Sequence, residues 1–158
     1  MPTRTVTRRL EFDAAHRVLH HESKCKHLHG HRYQVLITIS APGLDDLGRV
    51  IDFGVVKSIV GKWIDQNWDH NIILHKDDPL AKAYEWEEFG EDRPRARWQN
   101  WIRSVFADKT PFIMESNPTA ENLASELFRR INPQFPSHIT IKCIRIYETP
   151  NCYADFEP

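Results

Sequence analysis

The feature that most constrains the fold is an alternation of side chains that begins at His29. Every second residue of this stretch is apolar or aromatic in character: His29, His31, Tyr33, Val35, Ile37 and Ile39. Because successive side chains of a β-strand point to opposite faces, this period of two predicts a strand from His29 to Ile39 with one buried face. The strand also places two imidazoles on that face, about 6.6 Å apart along the chain.

A similar alternation runs from Val6 to His16 and is interrupted only at Arg8. It predicts a strand with five residues on one face: Val6, Leu10, Phe12, Ala14 and His16. Consecutive strands commonly pair antiparallel, and this pairing would bring His16 beside His29 and His31.

The remaining periodic segments predict two helices and two further strands. Asp52 can cap a helix with apolar residues at helical spacing: Val55, Val56, Ile59, Val60, Trp63 and Ile64. Asn117 can cap a second helix that starts at Pro118 and presents Leu123, Ala124, Leu127, Phe128 and Ile131. Ile139 to Tyr147 and Cys152 to Phe156 are expected to form a hairpin. The order of elements predicts an α+β fold, with helices on one face of an antiparallel sheet.

The segment from Asp77 to Lys109 fits none of these elements and is interpreted as an insert in a single domain of residues 1–158. Five apolar residues in it recur at helical spacing: Trp98, Trp101, Ile102, Val105 and Phe106. They predict an extra helix that packs on the body of the domain or on another subunit. An aromatic platform for nucleic acid is the alternative, but no basic groove accompanies it.

Charge and composition argue against binding to nucleic acid or to a membrane. With 21 Lys and Arg against 22 Asp and Glu, the net charge of −1 offers no general attraction for nucleic acid or an anionic membrane. No apolar run approaches the roughly 20 residues that span a bilayer, and the N-terminus lacks the apolar core of a signal peptide. We therefore expect a cytoplasmic protein that binds neither nucleic acid nor membrane. Three scattered cysteines predict reduced thiols.

The three histidines on the predicted strands are candidate metal ligands. Three neutral imidazoles with an open fourth position are typical of a catalytic zinc site, and Gly30 would allow an unusual backbone conformation between two ligands. The alternative is that His16 is a hydrogen-bonded core residue while His29 and His31 are surface residues. Four other histidines show no comparable spacing and are expected to face solvent or to surround the site: His20, His21, His27 and His75.

Five motifs occur in order along the chain: Phe12-Asp13-Ala14-Ala15-His16-Arg17, Cys25-Lys26-His27-Leu28-His29-Gly30-His31, Trp68-Asp69-His70-Asn71, Asn117-Pro118-Thr119-Ala120-Glu121-Asn122 and Tyr147-Glu148-Thr149. Together they resemble the 6-pyruvoyl-tetrahydropterin synthase superfamily. The resemblance implies the tunnelling fold, in which subunits form a homo-oligomeric barrel, a hexamer or tetramer, with active sites at subunit interfaces. It also implies a small-molecule substrate such as 7,8-dihydroneopterin triphosphate.

The spacing C-x3-HGH from Cys25 resembles the branch that makes 6-carboxytetrahydropterin for queuosine, a 7-deazaguanine. For this branch the resemblance implies zinc on His16, His29 and His31, and release of acetaldehyde and triphosphate. It further implies that Cys25 is the base, that Asp69 and His70 form an acid–base pair and that Glu148 anchors the pterin. Since electrons move within the substrate, no nicotinamide or flavin is expected, and no GxGxxG motif is present.

Two alternatives stay open. One is the pyruvoyl-forming synthase, which shares the metal and the pterin anchor and which only the cysteine spacing separates from the carboxy-forming branch. The other is a non-catalytic zinc or pterin-binding relative, against which the combination of Cys25, Asp69, His70 and Glu148 argues because a binder needs no base. Arg17, Lys24 and Lys26 are near the motif and are candidates for holding the triphosphate.

Overall fold

The computed structural model describes residues 4–85 and 109–158. Its six strands are β1 (Thr5–His16), β2 (His29–Ser40), β3 (Asn71–His75), β4 (Phe112–Met114), β5 (Thr140–Thr149) and β6 (Cys152–Phe156). The first helix, α1, joins Phe53–Val56, a π-helical turn at Lys57–Gly61 and Lys62–Asn67. Two more helices follow, α2 (Pro79–Glu85) and α3 (Ala120–Ile131), and short 3-10 turns lie at Lys24–Lys26 and Asn132–Gln134.

The strands form one sheet in the order β4-β3-β1-β2-β5-β6. Strands β1, β2, β5 and β6 pair antiparallel, as the sequence predicts. The sheet is nevertheless mixed, because β3 lies parallel to β1 and β4 lies parallel to β3. These two short strands extend the sheet on the side where α1 returns to it. The predicted α+β class is confirmed, and the parallel pairs of β3 and β4 are additions to the predicted antiparallel sheet.

The core lies between one face of the sheet and the helices α1 and α3. On β2 the whole predicted apolar set from Tyr33 to Ile39 is buried, as are Phe12 on β1 and Ile144 on β5. The helices contribute buried residues at helical spacing: Val56, Val60, Ile64, Leu123, Leu127 and Ile131. The opposite face of the sheet carries charged side chains linked by ion pairs, among them Arg32 with Glu11 at 3.0 Å.

One of the two predicted helix starts is correct. Asp52 caps α1, since its Oδ1 accepts a hydrogen bond from the Gly54 backbone N–H at 2.6 Å. The prediction for α3 is wrong, because this helix begins at Ala120 and its cap is Thr119, whose hydroxyl accepts from the Asn122 N–H. Asn117 and Pro118 precede the helix, and the Asn117 side chain binds the Leu19 backbone instead.

The predicted helical insert is only partly covered by the structure. Helix α2 occupies its first residues, whereas the stripe from Trp98 to Phe106 lies outside the described residues. Within residues 4–85 and 109–158, none of the helices has the length and apolar character needed to cross a membrane.

Candidate metal centre and active site

Pairing of β1 with β2 brings the three candidate ligands together at one end of the sheet. His16, the last residue of β1, lies directly opposite His29, the first residue of β2, and Ala14 lies opposite His31. The imidazole centroids are 4.7 Å apart for His16 and His29, 5.2 Å for His16 and His31, and 4.8 Å for His29 and His31. One potential ligand nitrogen of each ring lies within 4.8 Å of the other two, so the trio can hold a metal ion.

Gly30 stands between two of the ligands for a steric reason. A Cβ at this position would lie 3.2 Å from the Ala14 carbonyl oxygen on the paired strand, closer than such atoms normally approach. The backbone of Gly30 is not left-handed, since among the described glycines only Gly48 has a positive φ. A bulkier residue is thus disfavoured at Gly30 by the nearby Ala14 carbonyl of β1 and not by a left-handed backbone.

Backbone carbonyls fix two of the imidazoles. His16 Nδ1 lies 2.7 Å from the Pro118 carbonyl oxygen, and His29 Nδ1 lies 2.7 Å from the His27 carbonyl oxygen. A carbonyl oxygen can only accept, so each Nδ1 carries the proton and each Nε2 keeps a lone pair for a metal. This arrangement is the usual one for metal-binding histidines.

Two of the ligand nitrogens are buried without a hydrogen bond. In the described ranges, His16 Nε2 and His31 Nε2 have no hydrogen-bond partner. Buried polar atoms are rarely left in this state, and an unpaired nitrogen on two of three clustered imidazoles fits a site for a cation. The donor set of three nitrogens with space for a further ligand matches a catalytic zinc site.

Burial favours the neutral form of the His16 and His31 imidazoles. Loss of solvent lowers the pKa of His16, and nearby His29 and His31 lower it further, against opposing effects of the Pro118 carbonyl and Glu148. Burial likewise lowers the pKa of His31, again with Glu148 opposing. Since a lowered pKa disfavours the imidazolium, both rings are held in the unprotonated form that binds metals.

Glu148 lies at the end of β5 and faces the same cluster. Its Oε1 is 3.3 Å from His16 Nε2 and 3.9 Å from His31 Nε2, and the side chain is 28% exposed. The carboxylate therefore forms one wall of the candidate metal site and is still open to solvent. A ligand bound by Glu148 would contact the site that the histidines surround.

Cys25 lies in the 3-10 turn between β1 and β2, where its carbonyl oxygen accepts from the Val18 N–H at 2.8 Å. Its thiol is free and half-buried, as is that of Cys143, whereas the free Cys152 is exposed. The group of mutually close potential ligand atoms found in residues 4–85 and 109–158 comprises the three histidines and leaves Cys25 out. Cys25 is thus placed beside the ligands' strand without being one of the clustered ligands.

Asp69 and His70 form a separate pair in the turn after α1. The Asp69 carboxylate accepts from the Asp13 backbone N–H at 3.0 Å and from His70 Nδ1 at 2.7 Å. Burial opposes ionisation of Asp69, but these hydrogen bonds outweigh it and lower the pKa of the carboxyl group. His70 has a left-handed backbone with a φ of 52°, fixed by its N–H bond to the Asp13 carbonyl, and its ring is 74% exposed.

The pair does not join the three histidines within one chain. The hydrogen bonds and ion pairs of Asp69 and His70 in the described segments involve one another, Asp13, Ile64 and Lys109. An open cleft of about 560 Å³ is lined by His70 and by His31, but His16, His29 and Glu148 do not line it. The structure therefore builds an oriented, exposed carboxylate–imidazole pair next to the cluster rather than inside it.

Comparison with known proteins identifies the chain. The family described as 6-pyruvoyl tetrahydropterin synthase matches residues 5–158. A protein of Rickettsia conorii named 6-carboxy-5,6,7,8-tetrahydropterin synthase is 42% identical over 151 residues, which cover 94% of this chain and 96% of that protein. The chain belongs to the 6-pyruvoyl tetrahydropterin synthase family.

Solved structures confirm the fold of this 6-pyruvoyl tetrahydropterin synthase family member. An uncharacterised protein of Wolinella succinogenes superposes with a TM-score of 0.73 at 22% identity, with 99% of each chain covered. The 6-pyruvoyl tetrahydropterin synthase of Caenorhabditis elegans superposes with a TM-score of 0.65 at 21% identity, covering 100% of this chain and 97% of that one. The predicted tunnelling fold is thereby confirmed for the subunit.

Sequence analysis missed Tyr33, which completes the wall of the site in this family member. Its ring stacks on Phe12 with centroids 4.9 Å apart and meets the edges of His16 and His31 at 5.8 and 5.6 Å. Its buried hydroxyl has no hydrogen-bond partner among the described residues. Burial raises the pKa of Tyr33 far above its ordinary value, with further contributions from Glu148 and Cys25. The shared parity of Tyr33 with His29 and His31 was the available signal in the sequence.

Of the three candidate triphosphate ligands, Arg17 is already engaged. Its guanidinium binds both oxygens of the fully buried Asp78 carboxylate, with the Nη2 contact at 2.9 Å. A paired guanidinium is a poor candidate for a phosphate site because the buried carboxylate would lose its partner. Lys24 and Lys26 in the turn around Cys25 are exposed and stay candidates.

Proposed function

We propose that the protein is a zinc-dependent 6-carboxy-5,6,7,8-tetrahydropterin synthase. It would convert 7,8-dihydroneopterin triphosphate and one water molecule into 6-carboxytetrahydropterin, acetaldehyde and triphosphate. The observation that carries the proposal is the cluster of three imidazoles bordered by Glu148, with Cys25 in the turn that leads into it. The name of the Rickettsia conorii relative supports the same branch.

The metal would be held by His16, His29 and His31. A zinc ion there supplies Lewis-acid chemistry, which polarises and acidifies hydroxyl groups of a bound substrate. The chain's own part is to present one nitrogen from each of three imidazoles at mutual distances that suit one ion, and two of these nitrogens are buried without a hydrogen bond. No redox cofactor is needed, because the rearrangement moves electrons within the substrate.

Glu148 would bind and orient the pterin. An ionised carboxylate accepts paired hydrogen bonds from an N–H edge, and such charge-assisted pairs fix the orientation of a planar ring. With Oε1 only 3.3 Å from His16 Nε2, the carboxylate binds the ring at the border of the cluster. The pterin side chain then starts next to the three histidines.

Cys25 and His70 would move protons. The Cys25 thiolate acts as the base toward a side-chain carbon of the substrate, since a cation beside a thiol favours its ionised form. Asp69 orients the His70 imidazole through the 2.7 Å hydrogen bond to Nδ1, which leaves Nε2 free to give or take a proton. The exposure of this pair supports a working homo-oligomer with sites at subunit interfaces, which we propose together with a cytoplasmic location.

The proposal is tested by measuring acetaldehyde release from 7,8-dihydroneopterin triphosphate. Zinc-loaded wild-type protein is expected to release acetaldehyde, whereas Cys25→Ala keeps its zinc and loses at least about 100-fold in turnover, the usual loss on removing an acid–base group. Cys152→Ala, which removes an exposed cysteine of β6, is the matched control and should behave as wild type. Full turnover by Cys25→Ala would remove Cys25 from the mechanism.

A further inference from the structure

We propose that Asn117 is a positioning residue of the metal centre. It holds the Pro118 carbonyl against His16, and this contact keeps the His16 proton on Nδ1 and the metal-binding lone pair on Nε2. The proposal rests on the zinc site of the proposed function and adds a determinant of metal affinity that lies outside the ligand set.

The His16 side chain is fully buried at the end of β1. Its Nδ1 donates to the Pro118 carbonyl oxygen at 2.7 Å, so this carbonyl favours the tautomer with the proton on Nδ1. Pro118 belongs to the loop before α3, far from β1 along the chain. A further contact must therefore hold the Pro118 loop close to His16.

The Asn117 side chain supplies this connection to β1. Its Oδ1 accepts from the Leu19 backbone N–H at 2.8 Å, and its Nδ2 donates to the Leu19 carbonyl at 3.1 Å. Leu19 follows His16 by three residues in the segment that leaves β1. One amide side chain thus pairs with both backbone groups of a residue on the ligand's own segment.

The Asn117 backbone is fixed from the other side by α3. Its carbonyl oxygen accepts from the Asn122 side-chain amide at 2.9 Å and from the Thr119 N–H at 2.8 Å. Helix α3 is anchored in the core by Leu123 and Leu127, both fully buried. The Pro118 carbonyl is consequently held between the core helix and the β1 exit, which gives the His16 ring a rigid partner.

The charge of Glu148 makes this contact consequential. Glu148 Oε1 lies 3.3 Å from His16 Nε2 without forming a hydrogen bond to it, and a negative charge at this distance favours a proton on Nε2. The Nε2–H tautomer has no lone pair on Nε2 and cannot bind the metal there. Loosening the Pro118 contact would shift His16 toward this form, whereas the intact clamp favours the binding-competent form.

The test is the zinc dissociation constant, measured by competition with a chromophoric chelator. Partners that orient a ligand histidine typically contribute 10–100-fold to metal affinity, so Asn117→Ala should bind zinc about 10–100-fold more weakly than wild type. Asn67→Ala is the matched control, because the Asn67 side chain also donates to a backbone carbonyl, that of Trp63 at 2.7 Å, but in α1. Its affinity should stay within about twofold of wild type.

A second readout reports the tautomer directly. The ¹⁵N shifts of the His16 ring in metal-free protein should show only the Nδ1–H form in wild type and an added Nε2–H population in Asn117→Ala. If Asn117→Ala does not fold, Asn122→Ala, which removes the donor to the Asn117 carbonyl, is expected to weaken zinc binding in the same direction. Wild-type affinity in that variant would then overturn the proposal.

Three outcomes separate the possible errors. Wild-type zinc affinity in Asn117→Ala would overturn the clamp, and so would an equal loss in Asn117→Ala and Asn67→Ala, since that would be a general stability effect. Failure of the wild type itself to bind zinc would contradict the proposed zinc site, and the His16 ¹⁵N shifts would still decide whether Asn117 sets the tautomer.

Discussion

Each ligand imidazole of the candidate centre has two nitrogens with separate environments. The Nδ1 atoms of His16 and His29 bind backbone carbonyls, whereas the buried Nε2 atoms of His16 and His31 face one another and Glu148. Because burial already disfavours protonation of His16 and His31, a metal does not have to displace protons from them at neutral pH. The site is thus prepared for a cation by the protein alone.

Removal of one ligand is expected to empty the site. His29→Ala and His31→Ala should each lower bound zinc from about one ion per chain to a small fraction, because two imidazoles hold zinc poorly. Metal analysis by mass spectrometry after gel filtration measures this directly. His138→Ala, which removes an exposed histidine outside the cluster, should retain the wild-type content. Retention of the full zinc content by both ligand variants would contradict the assignment of the three histidines as zinc ligands.

Replacement of Glu148 is expected to separate substrate binding from metal binding. Glu148→Gln keeps the side-chain shape but removes the charge that strengthens hydrogen bonds to the pterin, a loss of about 1.5–3 kcal/mol, or roughly 10–100-fold in KM. Zinc content should stay at the wild-type level, because the three histidines remain. Glu157→Gln in the C-terminal segment serves as the control, and a wild-type KM in Glu148→Gln would exclude Glu148 from the pterin site.

Among the individual site residues, the sequence predicts those whose positions follow from the two-residue period of a strand. The grouping of His16, His29 and His31 follows from the parity of two neighbouring strands and needs no tertiary information. The Pro118 carbonyl could not be predicted in this way, because it reaches His16 from a distant loop whose Asn117-Pro118 motif resembles an ordinary helix cap. The reason for Gly30 also required the structure, since only the paired strand reveals the close Ala14 carbonyl.

Among the secondary-structure elements, the β1–β2 pair positions the candidate metal centre. Its register places His16 opposite His29 and Gly30 opposite Ala15, where the Ala14 carbonyl leaves little room for a side chain at Gly30. A change that separates these strands should therefore act on stability and on metal binding together.

A pair of glycine substitutions tests this coupling. Gly30→Ala places a methyl group 3.2 Å from the Ala14 carbonyl and is expected to cost about 1–3 kcal/mol of unfolding free energy, as overpacking does, and to weaken zinc binding. In Gly61→Ala the new methyl group meets only Lys57 Cγ, at 3.7 Å, so the helix should gain up to about 1 kcal/mol and zinc binding should not change. Thermal melting with and without zinc measures both effects. Equal behaviour of the two variants would contradict the close-approach explanation.

The elements that the sequence predicts well are long and periodic. Strands β1, β2 and β5 and helix α1 have enough residues for a period of two or 3.6 to emerge, and their observed bounds lie within a few residues of the predicted ones. Strands β3 and β4 have five and three residues, and the burial of β3 does not alternate, because the adjacent Ile73 and Leu74 are both buried. Their parallel pairing also depends on contacts between segments distant in sequence, which local patterns do not contain.

For the whole molecule, the distribution of the functional residues matters most. The histidine cluster, Glu148 and Cys25 lie at one end of the β1–β2–β5 region, whereas Asp69 and His70 project from the turn after α1. A single chain thus carries both halves of the proposed machinery without bringing them into contact. This separation supports assembly of complete sites between subunits, which the family resemblance implies and which the mass of the protein in solution would test.

The measurement that tests the central claim most directly is the identity of the product. Zinc-loaded wild-type protein is incubated with 7,8-dihydroneopterin triphosphate under reducing, oxygen-free conditions, and the pterins are separated and identified by mass spectrometry. We expect 6-carboxytetrahydropterin, with acetaldehyde in equal amount. If 6-pyruvoyltetrahydropterin is the only product and no acetaldehyde forms, or if the substrate is bound and returned unchanged, the assignment to the carboxy-forming reaction is contradicted.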